Sequence, residues 1–191
     1  MTGVQTCALP IYIDGKITDI TAINARLDFN TIKVAIQSFG KQYNQRVPVL
    51  SSVKVKGEKL RVLARKYDEF KIVNEGKDNF VVKFFKDNKI IKEVFLPVKP
   101  VQLYSIELSS VTEVTSKNIN DFISKELSEE ILKTDNNIKL VVAKINVTCS
   151  KGTYVRQLAF DIGEKLGVAS MLISIKKESV GEIKVSTDKQ E

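Results

Sequence analysis

Residues 147–167 combine a strand pattern with a helical one. The sequence VTCSKGTYVRQLAFDIGEKLG ends an alternating apolar run at Cys149 and continues through a polar turn. Five apolar residues then follow the i, i+3, i+4, i+7, i+11 spacing of one buried helix face: Val155, Leu158, Ala159, Ile162 and Leu166. Gly167 stands where a left-handed C-cap ends a helix. The pattern predicts a strand, a tight turn and an amphipathic helix in succession.

The polar residues of this junction lie where the predicted helix begins. Lys151 is in the turn, and Arg156 is in the first helical turn, off the apolar face. Unpaired backbone N–H groups and the helix dipole favour negative charge at such a position. Lys151, Arg156 and the amides of Gly152 and Thr153 therefore predict a site for an anion.

Apolar patterns upstream predict shorter elements. Asn30 or Thr31 can cap a helix whose buried face falls within residues 32–39. Residues 47–55 have an extended pattern, and a short amphipathic helix begins at Leu60.

Residues 80–85 and 90–96 are β-prone runs separated by a turn at Asp87 and Asn88, which predicts a hairpin. Strand patterns also cover residues 138–149 and 171–175, and a helical pattern with an acidic outer face covers residues 118–133. Because the helices and strands alternate irregularly, the chain is predicted to be an α+β domain. Its expected sheet is mixed but mainly antiparallel, with flanking helices, rather than doubly wound and parallel.

Composition adds a preference for anionic partners. The 191 residues are 43% hydrophobic, enough for a core, and carry 30 Lys and Arg against 23 Asp and Glu, for a net charge of +7. This excess points to a polyanion such as nucleic acid. A basic surface that serves only solubility is an equal alternative on charge alone.

The residue inventory also excludes several kinds of chemistry. The chain has no histidine and only two distant cysteines, Cys7 and Cys149. Imidazole-based nucleophile pairs, a zinc site and a disulfide framework are therefore not expected, and we predict no metal and no cofactor. The sequence lacks an apolar run long enough for a membrane span and a signal-peptide pattern at its start, so we expect a cytoplasmic protein without membrane contact.

A second segment, residues 45–67, is rich in basic residues. It contains Lys54, Lys56, Lys59, Arg61 and Arg65 but only one acidic residue before Asp68. A solvated charged helix face is the usual explanation of such a run. The shortage of acidic neighbours favours phosphate contact over pairing at i,i+4 spacing.

The first eleven residues, MTGVQTCALPI, differ in character from the rest. After the initial methionine they resemble the in-frame translation of a short-read sequencing adapter. We therefore expect residues 1–11 to be non-native and the natural coding sequence to begin near Tyr12, inside a gene. A natural N-terminal arm is the alternative.

Two segments together resemble the TruB family of tRNA pseudouridine synthases, which modify the T-loop uridine. CSKGTYVRQLAFDIGEKLG, followed by an apolar run and two basic residues, is similar to the C-terminal signature of that family. QRVPVLSSVKVKGEKLRVLAR is similar to a second family segment, Q-x-P-P-x-[YF]-S-A-x-K-x-x-G-x-x-x-Y-x-x-A-R. The resemblance implies that residues 12–191 are part of a pseudouridine synthase-like catalytic domain.

The second segment departs from the family pattern at several positions. Val47 replaces a proline, Leu50 an aromatic residue, Ser52 an alanine and Arg61 a tyrosine. Near the C-terminus, Lys176 and Lys177 replace a pair of arginines, and Ile175 replaces a leucine of the pocket wall.

The largest departure concerns the nucleophile. The family's aspartate lies in an upstream G-[TA]-L-D-P segment, which this sequence does not contain. Asp14 and Asp161 are the aspartates nearest to matched motifs, and we interpret them as a turn residue and a helix-surface residue. The resemblance therefore implies a fragment that is inactive alone.

The resemblance also implies roles for individual residues. Arg156 matches the arginine that pairs with the nucleophilic carboxylate, and Tyr154 matches a pocket tyrosine that packs against the flipped base. The other implied contacts to substrate RNA are Lys151, Gly152, Thr153, Ile175, Lys54, Lys56, Arg65, Lys176 and Lys177. The expected partner is the T-arm of tRNA, bound by a monomer.

Simpler interpretations stay open at this stage. If the motif is set aside, the favoured interpretations are Arg156 as a surface ion-pair residue and Tyr154 as a core aromatic. A non-catalytic RNA-binding module is the rival function. A P-loop at Lys151-Gly152-Thr153 is excluded, because the order is KGT and no glycine loop precedes it.

Overall fold

The computed structural model describes residues 3–7, 19–23, 27–76, 78–123, 125, 128–129, 139–180 and 183–184. Within these ranges the α-helices are α1 (Phe29–Gln37), α2 (Leu60–Lys66) and α3 (Val155–Leu166), with a 3₁₀ turn at Ile119–Asp121. The strands are β1 (Gly3–Cys7), β2 (Asp19–Ile23), β3 (Gln42–Arg46), β4 (Lys54–Val55), β5 (Glu58–Lys59), β6 (Glu69–Asn74), β7 (Phe80–Lys86), β8 (Lys89–Leu96), β9 (Val98–Thr115), β10 (Lys139–Cys149), β11 (Ser179–Val180) and β12 (Ile183–Lys184).

Two three-stranded sheets carry the fold. The central sheet has the order β10-β9-β3, and the second has the order β6-β7-β8. Two-stranded ribbons join β1 to β2, β4 to β5 and β11 to β12. Every strand pair in the described part of the chain is antiparallel. The predicted α+β class with a mainly antiparallel sheet is confirmed.

The 18-residue strand β9 connects the central sheet from end to end. Its first residues pair with β3, from Arg46 opposite Val98 to Gln42 opposite Gln102. The remainder pairs with β10, with register shifts near Ile145 and Cys149. Shifts of this kind bend and twist a strand, which allows one long strand to serve both neighbours.

Helices α1 and α3 cover the central sheet. Ile32 and Ile36 from α1 meet Leu158 and Ile162 from α3, and Leu103 of β9 completes the cluster. All five side chains are buried. This contact fixes α3 against the sheet, and with it the direction in which the helix N-terminus faces.

Helix α2 covers the second sheet. Leu60 and Leu63 are fully buried against Val82 and Phe84 of β7 and their neighbours on β8. The ring of Tyr154, at the start of α3, packs against the edge of this cluster. The start of α3 therefore lies where the two cores meet.

The predicted hairpin is confirmed. Strands β7 and β8 pair directly, and Asp87 and Asn88 between them have φ values of 50° and 60°. Two consecutive residues with positive φ are typical of a type I′ turn, whose twist matches that of the flanking strands. The predicted short helix from Leu60 and the break at Gly57, where φ is 85°, are also confirmed.

The predicted cap of α1, Asn30 or Thr31, was wrong by two or three residues. The helix begins at Phe29, and the carboxylate of Asp28 accepts hydrogen bonds from the backbone N–H and the hydroxyl of Thr31, both at 2.9 Å. The Asp28 carboxylate thus satisfies one of the otherwise unpaired amides of the first turn. The predicted buried face, including Ile32 and Ile36, is confirmed.

Two predicted strands and one predicted helix were wrong or incomplete. In residues 47–55 only Lys54–Val55 is a strand, because the carbonyls of Ser51 and Val53 accept hydrogen bonds from the first residues of α2. Residues 171–175 are irregular, although Met171 packs on a small apolar cluster. Residues 118–133 begin with the 3₁₀ turn, and Lys125, Ser128 and Glu129 are helical, as predicted. Residues 124, 126–127 and 130–133 lie outside the described residues, as do Tyr12 and Asp14.

Candidate functional site

A tight turn joins β10 to α3. The Thr153 N–H donates to the carbonyl of Ser150 at 3.3 Å, and Gly152 has a φ of 89°, which favours glycine. The Ser150 hydroxyl accepts a hydrogen bond from the Gln102 N–H at 3.1 Å. The turn is thus tied to β9, and the Thr153 amide predicted to help bind an anion is used inside the turn.

Helix α3 has the predicted length and ends as predicted. Gly167 adopts a φ of 68°, and its N–H and that of Val168 bond back to the last helical turn. Leu158 and Ile162 of the apolar face are buried. The other members of the predicted face are half-buried: Val155, Ala159 and Leu166.

Gln45 of β3 holds the backbone at the start of α3. Its side-chain oxygen accepts from the Tyr154 N–H at 2.8 Å, and its side-chain nitrogen donates to the Tyr154 carbonyl at 3.0 Å. Gln45 is only 1% exposed. The first bond satisfies a backbone N–H at the helix start, and the second adds a donor to a carbonyl that also accepts from the Leu158 N–H at 3.0 Å. Residues 109 positions apart in sequence are thereby joined, one from each segment that resembles the TruB family.

The same glutamine begins a buried polar network. Its side-chain nitrogen also donates to the Tyr43 hydroxyl, which in turn donates to one carboxylate oxygen of Asp161 at 3.3 Å. The other oxygen of Asp161 accepts from the Gln157 side chain at 2.7 Å. We call Tyr43, Gln45, Gln157 and Asp161 the β3–α3 network. It links strand and helix through side-chain hydrogen bonds.

Asp161 is not the helix-surface residue that we predicted. It is half-buried between α3 and β3, because the polar side chains of Gln157 and Asp161 share a face with Tyr43. Burial raises the pKa of Asp161 to about 6, against the lowering effects of the Gln157 hydrogen bond and of Arg46. Burial and the Asp161 charge also raise the pKa of Tyr43. The network is therefore sensitive to pH in the mildly acidic range.

Arg46 follows Gln45 and enters a different environment. Its guanidinium carbon lies 4.9 Å from the centre of the Phe80 ring and 5.1 Å from that of Phe160. The residue is 7% exposed, and burial lowers the pKa of its guanidinium, while Glu164 and Asp161 raise it. Two aromatic faces stabilise a cation in such a position.

A cavity of about 60 Å³ lies beside Arg46 and reaches the first turn of α3. Arg46 and Arg156 both line it, from β3 and α3 respectively. Its other lining residues are largely apolar and come from three segments: Pro48, Val49, Leu50, Phe70, Ile72, Gln157, Phe160, Ser170, Met171 and Leu172. The cavity thus combines two guanidinium groups with apolar walls.

The structure brings only some of the predicted site residues to this cavity. Arg156 is half-buried and lines it, and Tyr154 is half-buried beside it. Lys151 and Gly152 are exposed in the turn, and Thr153 is half-buried there. The roles of these residues stay predictions.

The predicted basic contacts lie on the surface. The exposed residues are Lys54, Lys56, Arg65, Lys176 and Lys177. Glu58, the acidic residue within the first basic run, forms an ion pair with Lys92 of β8, and this hydrogen bond lowers the pKa of Glu58. The acid is therefore paired outside its own segment.

Ile175, predicted to wall a base pocket, is 41% exposed and does not line the cavity. Met171 and Leu172, a few residues earlier, do line it. Sequence reasoning also missed Arg46, because the family motif leaves that position unspecified. The motif did contain Gln45, but nothing local in the sequence indicated its contact with Tyr154.

The described residues contain no group of His, Cys, Asp and Glu side chains able to hold a metal ion. None of the helices described here is both long and apolar enough to cross a membrane.

Comparison with known proteins gives consistent names. The chain is 30% identical over 142 residues to a protein named tRNA pseudouridine synthase B from Corynebacterium jeikeium, a match that covers 74% of this chain and 32% of the relative. A protein of the same name from Clostridium tetani is 27% identical over 150 residues, covering 78% of this chain and 34% of the relative. Another, from Francisella tularensis subsp. novicida, is 41% identical over 85 residues, covering 44% and 25%.

The class of protein that the chain resembles is therefore that of the pseudouridine synthases. Within that class, these similarities confirm the resemblance to the TruB family that the two motifs predicted. The chain spans about a third or less of the length of these three curated relatives. A search against family models gave no match.

Proposed function

We propose that residues 12–191 are part of the catalytic domain of a tRNA pseudouridine synthase, an isomerase that converts the T-loop uridine of tRNA to pseudouridine. The carrying observation is the contact between Gln45 and the Tyr154 backbone, at 2.8 and 3.0 Å. Each residue belongs to one of the two segments that resemble the family, and a shared site requires that these segments meet. The similarity to proteins named tRNA pseudouridine synthase B supports the same activity.

The proposed reaction requires an ionised aspartate, which attacks the nucleoside, and Arg156 is proposed to hold that carboxylate. A guanidinium offers two parallel donors to a carboxylate and keeps it charged in a partly dry pocket. Tyr154 is proposed to pack against the target base after it leaves its stack. The glycosidic bond then breaks, and the base is reattached through carbon.

The nucleophile itself is proposed to come from sequence upstream of Tyr12, since no G-[TA]-L-D-P segment is present in this chain. This chain alone is therefore proposed to be inactive. Residues 1–11 are proposed to be adapter-derived. The reaction as proposed uses no metal and no cofactor.

RNA contact is proposed to involve both exposed and half-buried residues. Lys151, Gly152 and Thr153 would position the backbone at the start of α3, and Ile175 would border the base. The proposed phosphate contacts are Lys54, Lys56, Arg65, Lys176 and Lys177, all exposed. We propose the T-arm of tRNA as the partner of a cytoplasmic monomer.

The alternative function is a non-catalytic RNA-binding module. The exposed basic run on β4, β5 and α2, whose acidic neighbour Glu58 pairs with Lys92, favours phosphate contact under either function. The two functions differ in chemistry and not in binding.

Tritium release separates these functions. Pseudouridine formation creates a bond at C5 of uracil, so RNA labelled with tritium at C5 of the T-loop uridine releases the label to water. We expect no release by the present chain and release by the protein extended upstream in its own reading frame. Release by the present chain would contradict the proposed inactivity. Its absence from an extended protein that binds T-arm RNA would favour the binding module.

Arg156→Lys in the extended protein tests the assigned role. Lysine keeps the charge but not the paired donors, so we expect kcat to fall by about 100-fold or more. Lys33→Met on the exposed side of α1 is the matched control and should leave kcat unchanged. An unchanged kcat in Arg156→Lys would exclude the proposed contact with the nucleophile.

A further inference from the structure

Arg46 is a buried cation without a polar partner in the described part of the chain. Its guanidinium contacts the rings of Phe80 and Phe160, at 4.9 and 5.1 Å, and forms no hydrogen bond or ion pair with a described residue. Asp161 and Glu164 act on it electrostatically without forming an ion pair with it. The five N–H donors of a 7% exposed side chain are thus not satisfied by the described protein atoms.

Such an arrangement is costly without a ligand. Buried polar groups are hydrogen-bonded in almost all native structures, and a buried charge is normally paired. Ring contacts stabilise the cation, but they do not accept its in-plane N–H groups. The geometry therefore favours an anion that completes the surroundings of Arg46.

The charges around Arg46 determine on which side that anion lies. Arg46 borders two spaces. An open space of about 330 Å³ is also lined by Asp78, Asp161 and Glu164, whose carboxylates repel an anion. The cavity of about 60 Å³ is lined by Arg46 and Arg156, and none of its described lining residues is Asp or Glu. The cavity is therefore the space that suits negative charge.

The size of this cavity limits the ligand. A single water needs at least roughly 10–15 Å³ measured in the same way, so about 60 Å³ holds a group of a few heavy atoms. That is enough for a tetrahedral oxyanion but too little for a nucleoside. Guanidinium groups recognise phosphate through paired N–H donors.

We propose that the cavity between Arg46 and Arg156 binds one phosphate group of the substrate RNA. Arg46, held between Phe80 and Phe160, supplies the guanidinium for this phosphate. Arg156, which the proposed function assigns to the nucleophilic carboxylate, borders the same cavity and adds positive charge there. The inference rests on the proposed function only for the source of the phosphate, which is the RNA. The anion site itself is argued from Arg46, at a position that the family motif leaves open.

The first test uses inorganic phosphate and the unsubstituted chain. The sequence contains five arginines, so the side-chain Nε–H signals of the ¹⁵N-labelled protein are few enough to assign, with Arg46→Lys identifying the Arg46 signal. Phosphate, at constant ionic strength against chloride, should shift the signals of Arg46 and Arg156 together along one saturating curve. An Arg46 signal that does not move would overturn the proposal, and this result does not depend on any variant folding.

The second test uses a T-arm stem–loop RNA and the salt dependence of its affinity. Each lost phosphate contact lowers the slope of log K against log salt by about 0.7–0.9, which is about a 5–8-fold loss of affinity at 0.1 M salt. Arg46→Met should show this change, because methionine still fills the space between the rings. Lys33→Met, an exposed cation on α1, should not. An equal slope for Arg46→Met and the unsubstituted chain would contradict phosphate contact by Arg46.

These tests separate the inference from the proposed function. If inorganic phosphate shifts Arg46 but the T-arm does not bind, the anion site stands and the RNA function is wrong. If the T-arm binds with a slope that Arg46→Met leaves unchanged, the RNA function stands and the Arg46 site is wrong.

Discussion

Two adjacent residues of β3 show how differently buried polar groups are used in this protein. Gln45 is hydrogen-bonded through both ends of its amide, to Tyr154 and Tyr43. The guanidinium of Arg46 lies against the faces of Phe80 and Phe160 and forms no hydrogen bond or ion pair with a described residue. A network whose members are paired fixes the geometry of the chain, whereas a buried charge without a paired acceptor suits a ligand from outside. Gln45 thus holds the backbone in place, and its neighbour Arg46 suits the binding of a ligand.

Removing Gln45 should give the largest effect on stability. Gln45→Leu keeps the approximate volume but leaves the Tyr154 N–H without its acceptor and removes the bonds to the Tyr154 carbonyl and the Tyr43 hydroxyl. We therefore expect the free energy of unfolding to fall by about 2–5 kcal/mol. Urea denaturation measures this loss. Gln37→Leu, at the exposed last residue of α1, is the control and should change stability by less than about 0.5 kcal/mol. Similar losses in both variants would show that the β3–α3 network is not a special support.

The second prediction concerns pH. Burial raises the pKa of Asp161 from 3.8 to about 6, so the folded state disfavours its ionisation. The associated stability is fully present below pH 3.8 and is lost as the pH rises through about 6. At about 1.4 kcal/mol per unit, the loss is at most about 3 kcal/mol.

Asp161→Asn isolates this contribution from the other titrating groups near it, which are Tyr43, Arg46 and Glu164. The difference in unfolding free energy between the two proteins should change between pH 4 and pH 7, with the unsubstituted chain losing more stability. A difference that is constant with pH would show that Asp161 titrates normally.

The smallest predicted effect concerns the cavity wall and not the network. A Cβ added at Gly163 would lie 2.2 Å from the Ser170 hydroxyl and 2.8 Å from the Val168 carbonyl. Gly163→Ala must therefore displace the segment that carries Ser170 and lines the cavity, at a loss of about 1–3 kcal/mol in stability. We expect weaker phosphate binding in the Arg46 titration, with the pH dependence of Asp161 retained.

A second substitution provides the control. Ser170→Gly removes two of the three close contacts with the added Cβ, so it should recover part of the stability lost in Gly163→Ala. If phosphate binding is unchanged in Gly163→Ala, the segment around Ser170 does not shape the anion site.

Local patterns predicted the elements that local physics determines. The apolar face and the C-terminal glycine of α3 lie within one element, and the turn at Asp87 and Asn88 joins adjacent strands. Each depends on side-chain spacing or backbone conformation over a few residues. Residues 47–55 were mispredicted because their carbonyls bond to the start of α2 and not to a neighbouring strand.

The environment of the site was less predictable, because it depends on pairs distant in sequence. Gln45 and Tyr154 both belong to recognisable motifs, but neither motif indicates their contact. Asp161 was interpreted as exposed because the apolar face of α3 was assumed to be the only buried one. The same helix also buries a polar strip against Tyr43, and sequence periodicity does not distinguish such a strip from a solvated face.

The pairing of β3 with β9 also bears on how the chain reaches its native state. Arg46 lies opposite Val98, and the Val47 N–H donates to the Pro97 carbonyl at 2.9 Å. Residues 47–97 therefore leave and rejoin the central sheet at one point. Closing a loop grows more costly only with the logarithm of its length, by about 0.6 kcal/mol for each doubling. Sheet β6-β7-β8 lies within that loop. Lengthening or shortening its hairpins should therefore alter the entropy of closing residues 47–97 only slightly.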